Sequence, residues 1–288
     1  MNHSRYLILA VVAGLSLLLA ACGGNTQPAA QQKATASANV SGSAIIGFDH
    51  GALDGLLTTF VNDEGWVDYA GLQRERAKLD AYLATLGTAA PRSFGNDNER
   101  LAFWINAYNA FTLADVLDDV YQKAKGVKEV SGFFDKKRHR IAGADLTLDE
   151  TEKRGRDLKD ARIHFAVICA STSCPKLQRF AYTGATLDEQ LTRISREFLS
   201  DPARGLKVDR GKNAVHISSI FKWYAGDFTG SSSLLARVKA EVSGGEILEY
   251  VKKYASEEAV KFINESKPAV KYLDYDWSLN AQETHPKA

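Results

Sequence analysis

Between Asn98 and Leu117 the chain sets Leu101, Trp104, Ile105, Tyr108, Phe111 and Thr112 at helical spacing, and the stripe they form is wide enough that other elements must cover it. A helix of this kind commits the chain to a packed domain. Asn106 and Asn109 sit three residues apart on a neighbouring face. Asn is a poor residue for a helix interior, so two of them in one aromatic helix need a reason. Either their amides satisfy buried backbone of an adjacent loop, or they orient a catalytic group or bind a substrate amide.

Around this helix the apolar spacing predicts others. Leu53, Leu56, Leu57, Phe60 and Val61 mark an entry helix, and Leu72, Leu79, Leu83 and Leu86 a second one stopped by Gly87. Thr147 to Glu150 and Thr186 to Glu189 both have capping-box form and each opens a helix. Ser218 or Ser219 is placed to cap a short aromatic helix over 220–224, and further helices are expected over 234–242 and 247–263. Strands are few. Phe133–Ile141 and Leu146 flank a turn at Gly143 as a basic hairpin, and Leu206–Val208 pairs with Val215–Ile217 across Arg210-Gly211. The C-terminal Val270–Trp277 alternates as a strand should. The expected class is α+β, a single mainly helical domain packed around a small mixed or antiparallel sheet.

Arg162 to Pro175, RIHFAVICASTSCP, is the stretch that bears chemistry. Ile163, Phe165, Val167 and Cys169 would share one face of an extended chain and His164, Ala166 and Ile168 the other, which predicts an interior strand. Its end delivers Cys169 and Cys174 into a loop of small and hydroxyl residues, a usual setting for reactive groups.

Ahead of the domain, Arg5 precedes an apolar run from Tyr6 to Leu19, and Leu19-Ala20-Ala21-Cys22 follows. This is signal-peptide grammar. The run is shorter than the roughly 20 residues a spanning helix needs, and it resembles a bacterial lipobox. That resemblance implies cleavage after residue 21, acylation of Cys22 and a membrane partner through the lipid. With Gly23 next, it implies an outer-membrane anchor facing the periplasm of a Gram-negative cell. Residues 22–47 are poor in large apolar side chains and read as a flexible tether spanning on the order of 25 to 30 Å. The folded domain is then 48–280, with a tail at 281–288. A formal net charge of +1 from 36 basic and 35 acidic residues carries no footprint of a nucleic-acid binder. Six His and three Cys outline no metal framework, so no metal or cofactor is expected.

Several ordered motifs resemble one family: Phe103–Phe111, Ile163–Ala166, Cys169–Ser171, Ser173–Pro175, Ile220–Tyr224 with Asp227-Phe228, and Tyr275–Asn280. Together, over roughly Phe48 to Asn280, they are similar to the domain of unknown function 547. The resemblance implies an exported bacterial protein and no settled reaction. Plant members keep the first cysteine and often carry Ser where this chain has Cys174, which implies that Cys169 is the functional one of the pair.

The residues then allow two classes of function. In the first, Cys169 is the nucleophile of a thiol hydrolase or acyltransferase acting on a peptide or amide. His164 would be its base, His50 and His216 the alternative bases, and Asn106 or Asn109 would orient the imidazole or line an oxyanion hole. In the second, Cys169 and Cys174 form a structural disulfide, and the domain binds a protein, a peptide, a peptidoglycan fragment or a lipid through Trp104, Tyr108, Trp223, Tyr224 and Trp277. Zinc ligation by His164, Cys169 and Cys174 is the weakest option, because structural sites want four ligands.

Overall fold

The computed structural model describes residues 47–230 and 244–285. Cys22, the tether and the helix expected over 234–242 lie outside these residues. The N-terminal third is helical: α1 spans Gly51–Phe60, α2 Tyr69–Arg74 and α3 Arg76–Thr88. The one helix expected to reach Gly87 is thus two, broken at Glu75. Asp68 fixes the start of α2 by accepting from the Gly71 N–H at 2.8 Å.

Helix α4, Asp97–Asp115, is the axis of the fold. Asn96 caps it by accepting from the Glu99 N–H at 2.9 Å. Every residue from Ile105 to Asp115 is buried, so the expected stripe is a whole circumference. Three helices pack against α4: α3, α5 (Leu148–Arg156) and α6 (Leu187–Ser200). The capping box of α5 is complete, with Glu150 N–H donating to Thr147 Oγ1 and Thr147 N–H to Glu150 Oε2. At α6 the same sequence pattern makes no box: Thr186 Oγ1 pairs with Thr183 Oγ1 at 2.8 Å instead.

Strands β1 (His139–Ile141) and β2 (Ala144–Leu146) form the basic hairpin. It is not a free cationic face. His139 Nε2 meets buried Asp115 Oδ2 at 2.8 Å, and Lys137 Nζ reaches Asp118 and Asp119 just past α4. The second sheet has β3 (Leu206–Asp209) antiparallel to β4 (Ala214–Ile217), and β4 parallel to β5 (Ala269–Tyr272). Between β4 and β5 come α7 (Ile220–Trp223), α8 (Ala225–Thr229), α9 (Gly245–Val251) and α10 (Glu257–Ser266). The expected C-terminal strand stops at Tyr272, and 273–281 continues as irregular chain.

The interior strand expected over 163–169 is absent. Ala161–Phe165 is a 3-10 turn started by Asp160, whose carboxylate accepts from the Arg162 N–H at 3.0 Å, and Val167 N–H still turns back to Ile163 O. A short segment apolar on both faces does not distinguish strand from tight helix by its period. The deciding partner is a side chain of α4.

Candidate functional site

Asn109 holds the reactive segment in place of a neighbouring strand. Its amide nitrogen donates to Ala166 O at 2.9 Å and its oxygen accepts from the Ile168 N–H at 3.0 Å. Asn106 treats Tyr182 in the same way, donating to its carbonyl at 2.7 Å and accepting from its N–H at 3.0 Å. Each amide spends its oxygen and one N–H on backbone. Neither touches His164 in any hydrogen bond among the described residues. They position the loops instead.

One residue beyond Ile168 the chain enters the thiol loop. Ala170 is buried at φ +56°, a left-handed turn unusual for a residue with a Cβ, and it folds the loop back on itself. The loop is fastened to the C-terminal segment at four points. Asn280 N–H donates to Ala170 O, Thr172 N–H to Ser278 O, Ser173 N–H to Asp276 O, and Asp276 N–H to Ser173 Oγ. Arg204, itself buried against Trp66, donates to Thr172 O at 3.0 Å. The quoted Tyr275–Asn280 motif therefore belongs to the site as the wall that fixes the loop.

Cys169 and Cys174 are free thiols with their sulfurs 2.9 Å apart. The Cys169 sulfur also meets Ser171 Oγ at 3.0 Å and the Tyr275 hydroxyl at 3.2 Å. Burial pushes the Cys169 thiol up, but donors from Cys174, Ser171 and Tyr275 outweigh it and bring Cys169 down to about 7. Cys174 moves the other way, raised by burial and by the adjacent Cys169. Tyr275 is likewise raised by burial and by the thiols, so it keeps its proton and donates.

Both cysteines line a cleft of about 790 Å³. Glu152, His164 and Tyr224 line it too, and with Arg156 and Asp227 behind them they form a cluster of ionisable groups on α5, the 3-10 turn and α8. His164 Nε2 bonds Asp227 Oδ2 at 2.8 Å, Arg156 Nε bonds the same oxygen at 2.6 Å, and His164 Nδ1 faces Glu152 Oε1 at 3.8 Å. Tyr224 stacks on the imidazole at 4.0 Å and sets its hydroxyl 3.3 Å from Glu152 Oε2. Burial lowers His164, against the pull of Asp227. Asp227, which burial alone would raise, is held well below the usual carboxylate range by His164 and Arg156. Burial raises Glu152 to about 7, with Arg156 and Tyr224 opposing. Near neutrality Glu152 therefore carries a proton in about half of the molecules, while His164, lowered by burial, is mainly neutral with its Nε2–H given to Asp227.

No hydrogen bond joins His164 to Cys169 among the described residues, so the thiol–imidazole pair expected from the sequence is not formed in this structure, where His164 bonds Asp227. The alternative bases are elsewhere. His50 is buried against Phe48 and Phe103, bonds the Tyr82 hydroxyl at 2.7 Å, and is lowered to about 4 by burial. His216 lies in β4 opposite Lys207 and Lys271. Of the expected aromatic groove, Tyr108, Trp223, Tyr224 and Trp277 line the cleft, whereas Trp104 packs on Phe103. Tyr275, not foreseen as part of that groove, joins Trp223 and Trp277 in a cluster with ring centroids 4.6–5.6 Å apart. Among the described residues no three His, Cys, Asp or Glu side chains converge on a metal position, and no helix is long and apolar enough to cross a membrane.

Glu152 and Asp227 are the residues the sequence reading missed. Asp227 stood within a quoted motif but carried no assigned role. Glu152 hides in the charged run LDETEKRGR, yet Leu148, Thr151, Glu152 and Gly155 are the buried residues of α5, and that i, i+3, i+4, i+7 spacing marks the inner face. Its raised pKa has a stability consequence. The unfolded chain releases this proton near 4.5 and the folded one near 7, so the group destabilises the fold increasingly as pH rises through that window. Glu152→Gln removes the titration. The variant should match wild type in urea unfolding at pH 4 and exceed it by about 3 kcal/mol at pH 8; a difference that does not change with pH would contradict the assignment.

Residues 92–199 match the model of a family described as "Protein of unknown function, DUF547". No curated protein and no solved structure matches the chain. The matched stretch takes in α4 with its two asparagines, α5 with Glu152, His164 and both thiols, and it is this stretch that is similar to the DUF547 family, whose function is unknown.

Proposed function

We propose that the domain is a cysteine-dependent hydrolase or acyltransferase in which Cys169 attacks the carbonyl of a peptide, amide or ester. The observation that carries this reading is a half-buried, acidified thiol opening into a cleft large enough for a small ligand. The thiolate is sustained by hydroxyl and thiol donors, not by an imidazole. Its attack forms a thioester and breaks the bond to the leaving amine or alcohol, which takes the proton of Glu152, a second residue of the cleft lining. Water or a second nucleophile then returns a proton to Glu152 and releases Cys169 as thiolate. His164, bound to Asp227, is a positioning residue that faces Glu152. The reading includes an acylated Cys22 that anchors the domain at the outer membrane, with substrates in the periplasm.

An activated ester isolates the role of the thiol, because its leaving group needs no acid. With p-nitrophenyl acetate the reduced protein should give a burst of p-nitrophenol stoichiometric with protein and an acetyl group mapped to Cys169. Cys169→Ala should give neither. Ester cleavage that persists unchanged in Cys169→Ala, with no acyl group on the protein, overturns the proposal. A second reading, a non-enzymatic binding domain, is favoured by the aromatic cluster at the mouth of the cleft, where Trp223 is 41% exposed. It gains if ligand binding survives Cys169→Ala intact.

A further inference from the structure

The loop from Cys169 to Cys174 supports chemistry that does not depend on acyl transfer. We infer that the two cysteines form a reversible dithiol–disulfide couple in which Cys169 attacks an oxidant and Cys174 resolves the product. Three independent features point to it. The sulfurs already lie 2.9 Å apart, and the Cys169 N–H donates to the Cys174 sulfur at 2.9 Å. Their exposure is unequal, for Cys169 is half-buried at the cleft while Cys174 is 4% exposed. The intervening residues are fastened to 276–280 and to Arg204, so the thiols are held together by the fold instead of meeting by chance.

The asymmetry assigns the roles. An attacking thiol needs thiolate character and access, and a resolving thiol needs only proximity. With a hydroperoxide, the Cys169 thiolate takes the distal oxygen and becomes a sulfenic acid as the O–O bond breaks, releasing hydroxide or alkoxide. The Cys174 thiol then displaces hydroxide from that sulfur and loses its proton to it. The balance is two thiols and one peroxide to one disulfide, one water and one alcohol or second water. An external dithiol supplies the two electrons that reopen the bridge. The disulfide shields Cys169 from over-oxidation to the sulfinic acid, which thiols do not reverse. If Cys169 is also an acyl nucleophile, the bridge silences it; that consequence alone rests on the proposed function.

The test uses the full chain, reduced, then treated with one equivalent of hydrogen peroxide at neutral pH, alkylated and mapped by peptide mass so that Cys22 is counted separately. Wild type should yield the Cys169–Cys174 disulfide as its main oxidised product, and dithiothreitol should restore both thiols. Cys174→Ser should still consume peroxide but accumulate sulfenic acid on Cys169, with dimedone capture raised at least about tenfold over wild type. Cys169→Ser should leave Cys174 reduced. Sulfenic or sulfinic acid on wild-type Cys169 beside an alkylated Cys174 would overturn the inference, as would a wild-type loop that ignores peroxide. Failure of the ester burst would leave these outcomes untouched.

Discussion

Asn109→Ala should destabilise the domain by about 1.5–5.5 kcal/mol, measured as the free energy of urea unfolding. The side chain is 2% exposed and satisfies two backbone groups at once, Ala166 O and Ile168 N. Truncation leaves both buried without a partner, at about 1–3 kcal/mol each. Alanine returns only about 0.5–0.7 kcal/mol through its better helix propensity. The upper half of that range exceeds the effect of an ordinary core substitution. Its second signature lies in the chemistry. Ile168 precedes Cys169, so any Asn109→Ala protein that still folds should label at Cys169 with an altered pH profile. A loss below about 1 kcal/mol would mean that apolar packing, not the amide, holds the segment.

Local patterns were legible in the sequence wherever the structure that obeys them is itself local. Helix α4, the capping box of α5 and the hairpin over 206–217 all appear where spacing and cap chemistry put them. The 163–168 segment was not, because its backbone partner is a side chain 57 residues earlier in the chain, and no period within the segment records that. The same distance hid the ionisable cluster. His164 meets Asp227 across 63 residues, so its nearest cysteine in sequence was the natural partner to infer, and the hydrogen-bond partner it has was out of sight. The thiol loop itself was visible as a site, whereas its fastening to 276–280 needed the fold. The Tyr275–Asn280 motif makes sense only there, as the strap that holds Thr172 and Ser173 and supplies the phenol beside Cys169.

The second large effect concerns Cys169, on which the functional reading rests. In the folded, reduced protein it should be the first of the two loop thiols that iodoacetamide labels, since Cys174 is buried with its thiol raised. Cys169→Ser should abolish rapid labelling within the loop. The absolute rate of wild type is a poor test. A thiol brought to about 7 is half ionised at pH 7, against about 3% for an unperturbed one near 8.5. A weaker base is also a weaker nucleophile, and a Brønsted slope of about 0.4–0.5 returns most of that roughly fifteenfold gain. The shape of the pH dependence does not suffer this cancellation. Donors at Ser171, Tyr275 and Cys174 act on the ionisation itself, so the midpoint reports them directly.

The most direct measurement is therefore the alkylation rate of Cys169, followed by peptide mass from pH 5 to 10 on the reduced, folded chain. An activated thiol predicts a single sigmoid with its midpoint near 7. A midpoint at or above about 8.5, or a Cys169 that alkylates only after unfolding, would contradict it.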